Sequence, residues 1–253
     1  MFSASHKETL ARDGFCVVEN VLSAARVAEV RAALVLGAEE SERRGIPTYI
    51  ENLDPNDSNV RVFNLLDLDA AFIELISHPV AVEIVAHLLT DDFIVSNFTA
   101  NIAKPGSQSM VIHSDLAVVL PEPWHSPWSM NIIWCLDDVH ADNGATRYLP
   151  GSHRFERRAE LPDGMEAAMV PFEAKAGSII AMDGRVWHTS GANVTESEER
   201  ALLFGYYSRS FIRPQWNFTA ALSQDTKAQL TPELKHWLGL HVAANVAPLT
   251  GIT

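Results

Sequence analysis

Residues 111–117 read Val-Ile-His-Ser-Asp-Leu-Ala, an apolar run interrupted by an imidazole and a carboxylate two positions apart. On an extended chain, residues i and i+2 point to the same face. His113 and Asp115 therefore project together, and Ser114 turns away. Such a pair is either a hydrogen-bonded couple or two-thirds of a metal site. The downstream stretch AMDGRVWHTSGAN supplies a third donor, His188, just past the turn at Asp183-Gly184. Two histidines and one carboxylate form the facial triad that suits Fe(II) and leaves coordination positions open for a co-substrate and oxygen.

A second chemical signal is Arg200, which opens the run RALLFGYY. Leu202, Phe204 and Tyr206 share its face in a strand, and the opposite face is apolar too. One of these faces must line an interior, so the guanidinium points into an apolar cavity and needs an anionic partner. Two partners are open: the neighbouring Glu196, Glu198 and Glu199, or the distal carboxylate of a dicarboxylate co-substrate gripped bidentately.

These residues need a rigid frame. The chain has 253 residues, 47% of them hydrophobic, with 6 Trp and 11 Phe, enough for a substantial core. From residue 93 onward, short β-branched and aromatic runs alternate with Gly, Pro and Asp/Asn turns: FIVSNFTANIAK, SMVIHSDLAVVL, SMNIIWCLDDV, ATRYLPGSH, MVPFEAKAGSIIAMD and RALLFGYYSRSFI. That spacing predicts a sandwich or barrel of antiparallel strands. The first part reads as helical around a short strand, GFCVVEN. Ser23 opens an amphipathic helix, residues 45–61 read as loop, and AAFIELISHPVAVEIVAHLL is broken near Pro79. Near the C-terminus, Thr231 is a good N-cap with Pro232 at the first helical position.

Composition narrows the partners. Nineteen basic residues against 32 acidic ones leave a net charge of −13. With no basic stripe, nucleic acid is not an expected partner, nor is an anionic membrane surface. Apolar stretches all fall short of the ~18 residues of a span. The opening MFSASHKETLARDG lacks the apolar core of a secretion signal. Cys16 and Cys135 sit in apolar runs and read as buried, reduced thiols. The expectation is a cytoplasmic protein.

The segments HSD (113–115), His188, Arg200, DNGATRYLPGSHR (142–154) and the opening DGFCVVENVLS together resemble the phytanoyl-CoA dioxygenase family of Fe(II)/2-oxoglutarate oxygenases, over roughly residues 10–215. The resemblance implies an α+β, mainly β fold: a double-stranded β-helix, a cupin-like jelly roll, with flanking N- and C-terminal helices. It implies one oxygenase domain over 1–253, with a helical part at 1–92, the jelly-roll core at 93–213 and a helical tail at 214–253. His113, Asp115 and His188 would bind Fe(II) and carry catalysis. Arg200 would hold the far carboxylate of 2-oxoglutarate, with Thr146 and Ser190 as hydrogen-bond donors and O2 as the oxidant. Members of the family often carry Gln three residues before the HxD histidine. Met110 stands there in this chain, leaving Asn97 or Asn131 to steady the co-substrate. Asp115 also fills the position that halogenating relatives leave to halide, which implies hydroxylation or a related oxidation.

For the substrate, the loop VVLPEPWHSPW carries Trp124 and Trp128 among three prolines and reads as a lid. Tyr49, Ile50, Phe211 and Trp216, with Met110, are further pocket candidates. An apolar lid points to a hydrophobic small molecule. Within the family, the pattern most resembles members that tailor secondary metabolites such as terpenoids and polyketides, by hydroxylation, desaturation or rearrangement. An acyl-CoA or lipid hydroxylase and a non-catalytic jelly-roll binding protein are the alternatives. The apolar tail HWLGLHVAANVAPL suggests a homodimer.

Overall fold

The computed structural model describes residues 1–51, 53–119 and 121–240. Its elements in chain order are α1 (Ala4–Asp13), β1 (Phe15–Val18), α2 (Ala24–Arg43), β2 (Asn59–Val62), α3 (Ala70–Ile76), α4 (Pro79–Leu89), β3 (Phe93–Ala103), β4 (Ser129–Cys135), β5 (Arg147–Tyr148), β6 (Val170–Pro171), β7 (Ile179–Asp183), β8 (His188–Thr189), β9 (Arg200–Arg209), α5 (Phe218–Ala221), α6 (Gln224–Gln229) and α7 (Pro232–Trp237).

Local chemistry sets the helix ends. The Ser23 hydroxyl accepts from the Arg26 N–H at the start of α2, where it satisfies one of the orphan donors of the first turn. Proline at the first position of α4 separates it from α3, because its ring cannot continue the preceding helix. Thr231 caps α7, again ahead of a proline.

The strands form two antiparallel sheets, a large one in the order β1-β7-β4-β9-β3-β2 and a small one in the order β6-β5-β8. Alternation divides the large sheet into two faces. Phe98, Ala100, Ile132, Trp134, Ala201 and Leu203 pack under the helices, against Leu34, Phe72 and Ile84. Ile133, Ile180, Met182 and Leu202 face the small sheet and meet Val186, Phe172 and Tyr148. Tyr148 and Phe172 stack at 4.3 Å. Two facing sheets with helices on the outer face of the larger one form a jelly roll, the double-stranded β-helix that the sequence resemblance implies. Cys16 and Cys135 are both buried and free.

Two features differ from the sequence reading. Residues 59–61, expected in a loop, belong to edge strand β2, which pairs with β3; four residues whose central pair is half-buried carry too weak an alternation to stand out. Of the run 109–120, expected as a strand, the described residues contribute only an isolated bridge at His113 and then turn. The tail on which the homodimer expectation rests lies, beyond Leu240, outside the described residues. Among the described residues no single helix is long and apolar enough to cross a membrane.

Candidate active site

The carbonyl of Gly184, in the turn after β7, fixes the HSD segment. It accepts from the Ser114 hydroxyl at 2.8 Å and from the Leu116 N–H at 2.8 Å. These two bonds pull the chain out of strand geometry and start a short 3-10 turn at Asp115–Val118. Gly184 itself has no room for a side chain, since a Cβ there would stand 2.0 Å from the Ser129 hydroxyl oxygen. Just upstream, His113 and His188 exchange backbone hydrogen bonds of 2.9 and 2.8 Å. Two donors far apart in sequence are thus locked side by side by one antiparallel bridge.

The ligand atoms converge. The Asp115 Oδ1 lies 3.9 Å from His113 Nε2 and 4.0 Å from His188 Nε2, and the three atoms lie within 4.8 Å of one another, a spacing one metal ion can span. Each imidazole is oriented from behind. His113 Nδ1 is 2.9 Å from the Val111 carbonyl, and His188 Nδ1 is 3.0 Å from that of Val186. A carbonyl only accepts, so each Nδ1 carries the proton and each Nε2 presents its lone pair. Burial lowers the pKa of His188, which favours this neutral form. The Asn131 amide donates to Asp115 Oδ2 at 2.5 Å, leaving Oδ1 turned toward the histidines.

The cluster sits in a cavity of ≈ 430 Å³. Arg200 lines it and is 1% exposed. Its guanidinium makes one weak bond, 3.4 Å to Asn101 Oδ1, and its Nε is buried with no acceptor. Among the described residues no carboxylate pairs with it. Of the neighbouring acidic run, Glu199 pairs with Arg31 and Glu198 with His140, and none of its members reaches Arg200. Desolvation pulls the Arg200 pKa down to about 10 against the weaker pull of Cys135 and Asp137. A buried, unpartnered guanidinium inside a cavity is complementary to an incoming carboxylate. The donor set fits a ferrous ion and Arg200 fits the far end of a diacid.

Of the residues singled out in the sequence, His113, Asp115, His188, Arg200, Thr146, Ser190, Asn131, Asn97 and Met110 line this one cavity. The other pocket candidates do not. Trp124 is fully buried against Leu116, Leu149, Met169 and Trp187, and its indole N–H donates to the Val119 carbonyl at 2.7 Å. The expected lid is therefore a packed wall, because a buried indole must find an acceptor and finds it in its own loop. Trp128 packs at the edge of that cluster and meets exposed Phe211 edge-on. Tyr49 is exposed; the Ile50 N–H binds Asp54. Trp216 stands one layer back, stacked on the cavity-lining Phe63 at 5.5 Å.

Sequence reasoning missed Arg61, Thr99, Asn101, Phe63 and Gln215, all cavity residues. Asn97, Thr99 and Asn101 form a period-two polar stripe in FIVSNFTANIA, a signal that was available. Arg61 was hidden in the loop reading; it is paired with the fully buried carboxylate of Asp54 at 2.7 Å, so its charge is already met.

Comparison with known proteins agrees with this geometry. A jelly roll that brings two histidines and a carboxylate to one cavity has the donor arrangement of the mononuclear non-haem iron oxygenases. The family model described as Phytanoyl-CoA dioxygenase (PhyH) matches residues 10–201, and the chain belongs to that family. "Dioxygenase af480" of Aspergillus fumigatus is 46% identical over 231 residues, covering 91% of this chain and 75% of the relative. HygX from Streptomyces hygroscopicus, solved with nickel and 2-oxoglutarate bound, superposes with a TM-score of 0.66 at 15% identity, over 86% of this chain and 91% of that one. The non-haem alpha-ketoglutarate-dependent epimerase SnoN from nogalamycin biosynthesis superposes with a TM-score of 0.61 at 22% identity, over 80% of each chain. These two likenesses show the shared fold.

Proposed function

We propose that this dioxygenase-family chain uses Fe(II), 2-oxoglutarate and O2 to oxidise a C–H bond of a hydrophobic small molecule, a secondary metabolite of the terpenoid or polyketide kind. The observation that carries this reading is the unpartnered Arg200 guanidinium in the same cavity as the three convergent ligand atoms. The 2-oxoglutarate bound in HygX and the biosynthetic setting of the alpha-ketoglutarate-dependent SnoN support it.

His113, Asp115 and His188 would hold the ferrous ion, which with 2-oxoglutarate and O2 supplies the oxidising power and leaves succinate and carbon dioxide as co-products. Arg200 binds the distal carboxylate with charge-assisted hydrogen bonds. The Ser190 hydroxyl accepts from the Met110 N–H at 3.0 Å, so its own proton is free to be donated into the cavity, where the Thr146 hydroxyl is a second donor. Asn131 holds the carboxylate of Asp115 in one orientation. Phe204 and Tyr206 close the wall between the two ends and limit water.

The test is to load the protein anaerobically with Fe(II), add 2-oxoglutarate and a metabolite extract, admit air, and follow succinate and product masses. Succinate together with a product 16 mass units heavier or 2 lighter than its precursor is the expected result. A product that forms without 2-oxoglutarate, or equally with His188→Ala, overturns the reading.

A further inference from the structure

The substrate side of the cavity holds a polar device for which the chemistry above has no use. Strand β3 is bulged, its register with β9 shifting between Val95 and Asn97. Bulges beside active sites re-aim side chains, and this one does so twice. It turns Asn97 into the cavity, and the extra residue, Ser96, captures the segment after β9. The Ser96 hydroxyl accepts from the Gln215 N–H at 2.9 Å, and its carbonyl from the Trp216 N–H at 2.9 Å. Gln215 is thereby set beside Asn97, and both line the cavity.

The two carboxamides share one hydrogen bond, 3.4 Å from Asn97 Nδ2 to Gln215 Oε1. Asn97 Oδ1 is buried with no donor, and the Gln215 amide nitrogen donates to nothing among the described residues. A pair of amides joined by one bond always leaves an acceptor on one and donors on the other, whichever way each is turned. A buried acceptor without a donor is costly, so Asn97 calls for a ligand group that gives a proton, and the exposed Gln215 amide beside it is free to donate back to that same group.

We propose that Asn97 and Gln215 bind a hydroxyl group already present on the substrate. A hydrocarbon offers neither function, and a carboxylate, ester or ketone offers no proton to Asn97. The register fixes where that hydroxyl sits. Asn97, Tyr206 and Asn131 lie in one row across β3, β9 and β4, and Asn131 grips Asp115. Two strand spacings, roughly 10 Å, separate the hydroxyl clamp from that end of the row. The inference deepens the proposed function and rests on it: the substrate is an apolar alcohol, oxidised at a carbon remote from its hydroxyl. The reaction that supplies it is one that leaves a hydroxyl on the apolar skeleton: an oxygenation, a carbonyl reduction, a hydration or a hydrolysis.

The test uses the anaerobic Fe(II) enzyme with 2-oxoglutarate, whose visible absorption band reports both, and follows its change on adding matched probes: farnesol against farnesene, and 1-tetralol against tetralin. Each alcohol is expected to bind about tenfold more tightly than its hydrocarbon, the combined effect of two net hydrogen bonds. In Asn97→Leu and in Gln215→Leu, each checked for a native circular dichroism spectrum, the ratio falls to about one. Equal binding of alcohol and hydrocarbon, a response to neither, or a preference that survives both substitutions overturns the hydroxyl clamp. Absence of the absorption band before any probe is added removes the oxygenase reading instead, and the clamp with it.

Discussion

Arg200→Met separates ligand binding from folding. In the free protein the guanidinium is buried, and its fall to about 10 corresponds to a net cost of about 3 kcal/mol for holding the charge there. The sign follows from the direction. Folding disfavours the charged form, so the cost is present in full below pH 10 and shrinks only above it. Methionine fills a similar length without the charge, at the loss of the weak bond to Asn101. A net gain of about 1–2 kcal/mol raises the melting temperature by roughly 3–6 °C at pH 7. The same substitution removes charge-assisted hydrogen bonds to the diacid worth about 3–4 kcal/mol, so 2-oxoglutarate binds 10²- to 10³-fold more weakly. The assay is thermal unfolding of the Fe(II) enzyme with and without 2-oxoglutarate, with 2-oxobutyrate as the control lacking the distal carboxylate. The wild type is stabilised by the diacid far more than by the monoacid; the variant melts higher alone and responds to both alike. A variant that melts well below the wild type, or that still prefers the diacid, refutes the claim that Arg200 is an unpaired cation awaiting a carboxylate.

Asn131→Leu releases the Asp115 Oδ2 and lowers iron affinity about 10- to 100-fold; an unchanged dissociation constant in an iron titration removes its positioning role. Trp124→Ala empties a buried site and costs about 3–5 kcal/mol in urea unfolding, whereas wild-type stability combined with an altered substrate range restores the lid. Gly184→Ala drives a methyl against Ser129 and shifts the carbonyl that holds Ser114 and Leu116. It is expected to cost more than 2 kcal/mol and to weaken iron binding, and a stable variant with full iron affinity contradicts that account of the turn.

The chemistry-bearing residues were legible because their types are rare in apolar runs. His113, Asp115 and Arg200 each break a hydrophobic pattern that only a functional need or a partner explains. What local periodicity misjudged was settled by partners distant in sequence. The HSD segment reads as a strand but turns, because Gly184, some seventy residues on, offers one carbonyl to two of its donors. The Trp124 loop reads as a lid but packs, because the surrounding cluster comes from Leu149, Met169 and Trp187. Arg61 sits in a segment too short to show alternation, and its buried partner Asp54 lies within the same stretch read as loop. The stripe Asn97-Thr99-Asn101 had the right period, yet its meaning needed the register that sets Asn97 opposite Tyr206 and Tyr206 opposite Asn131.

The central claim is that His113, Asp115 and His188 form one ferrous site. Its most direct measurement is the iron content of protein loaded anaerobically with Fe(II) and freed of excess metal, for the wild type and for Asp115→Ala and His188→Ala. About one iron per wild-type chain, and little in either variant, is the predicted result. Equal iron in all three proteins, or none in the wild type, contradicts it.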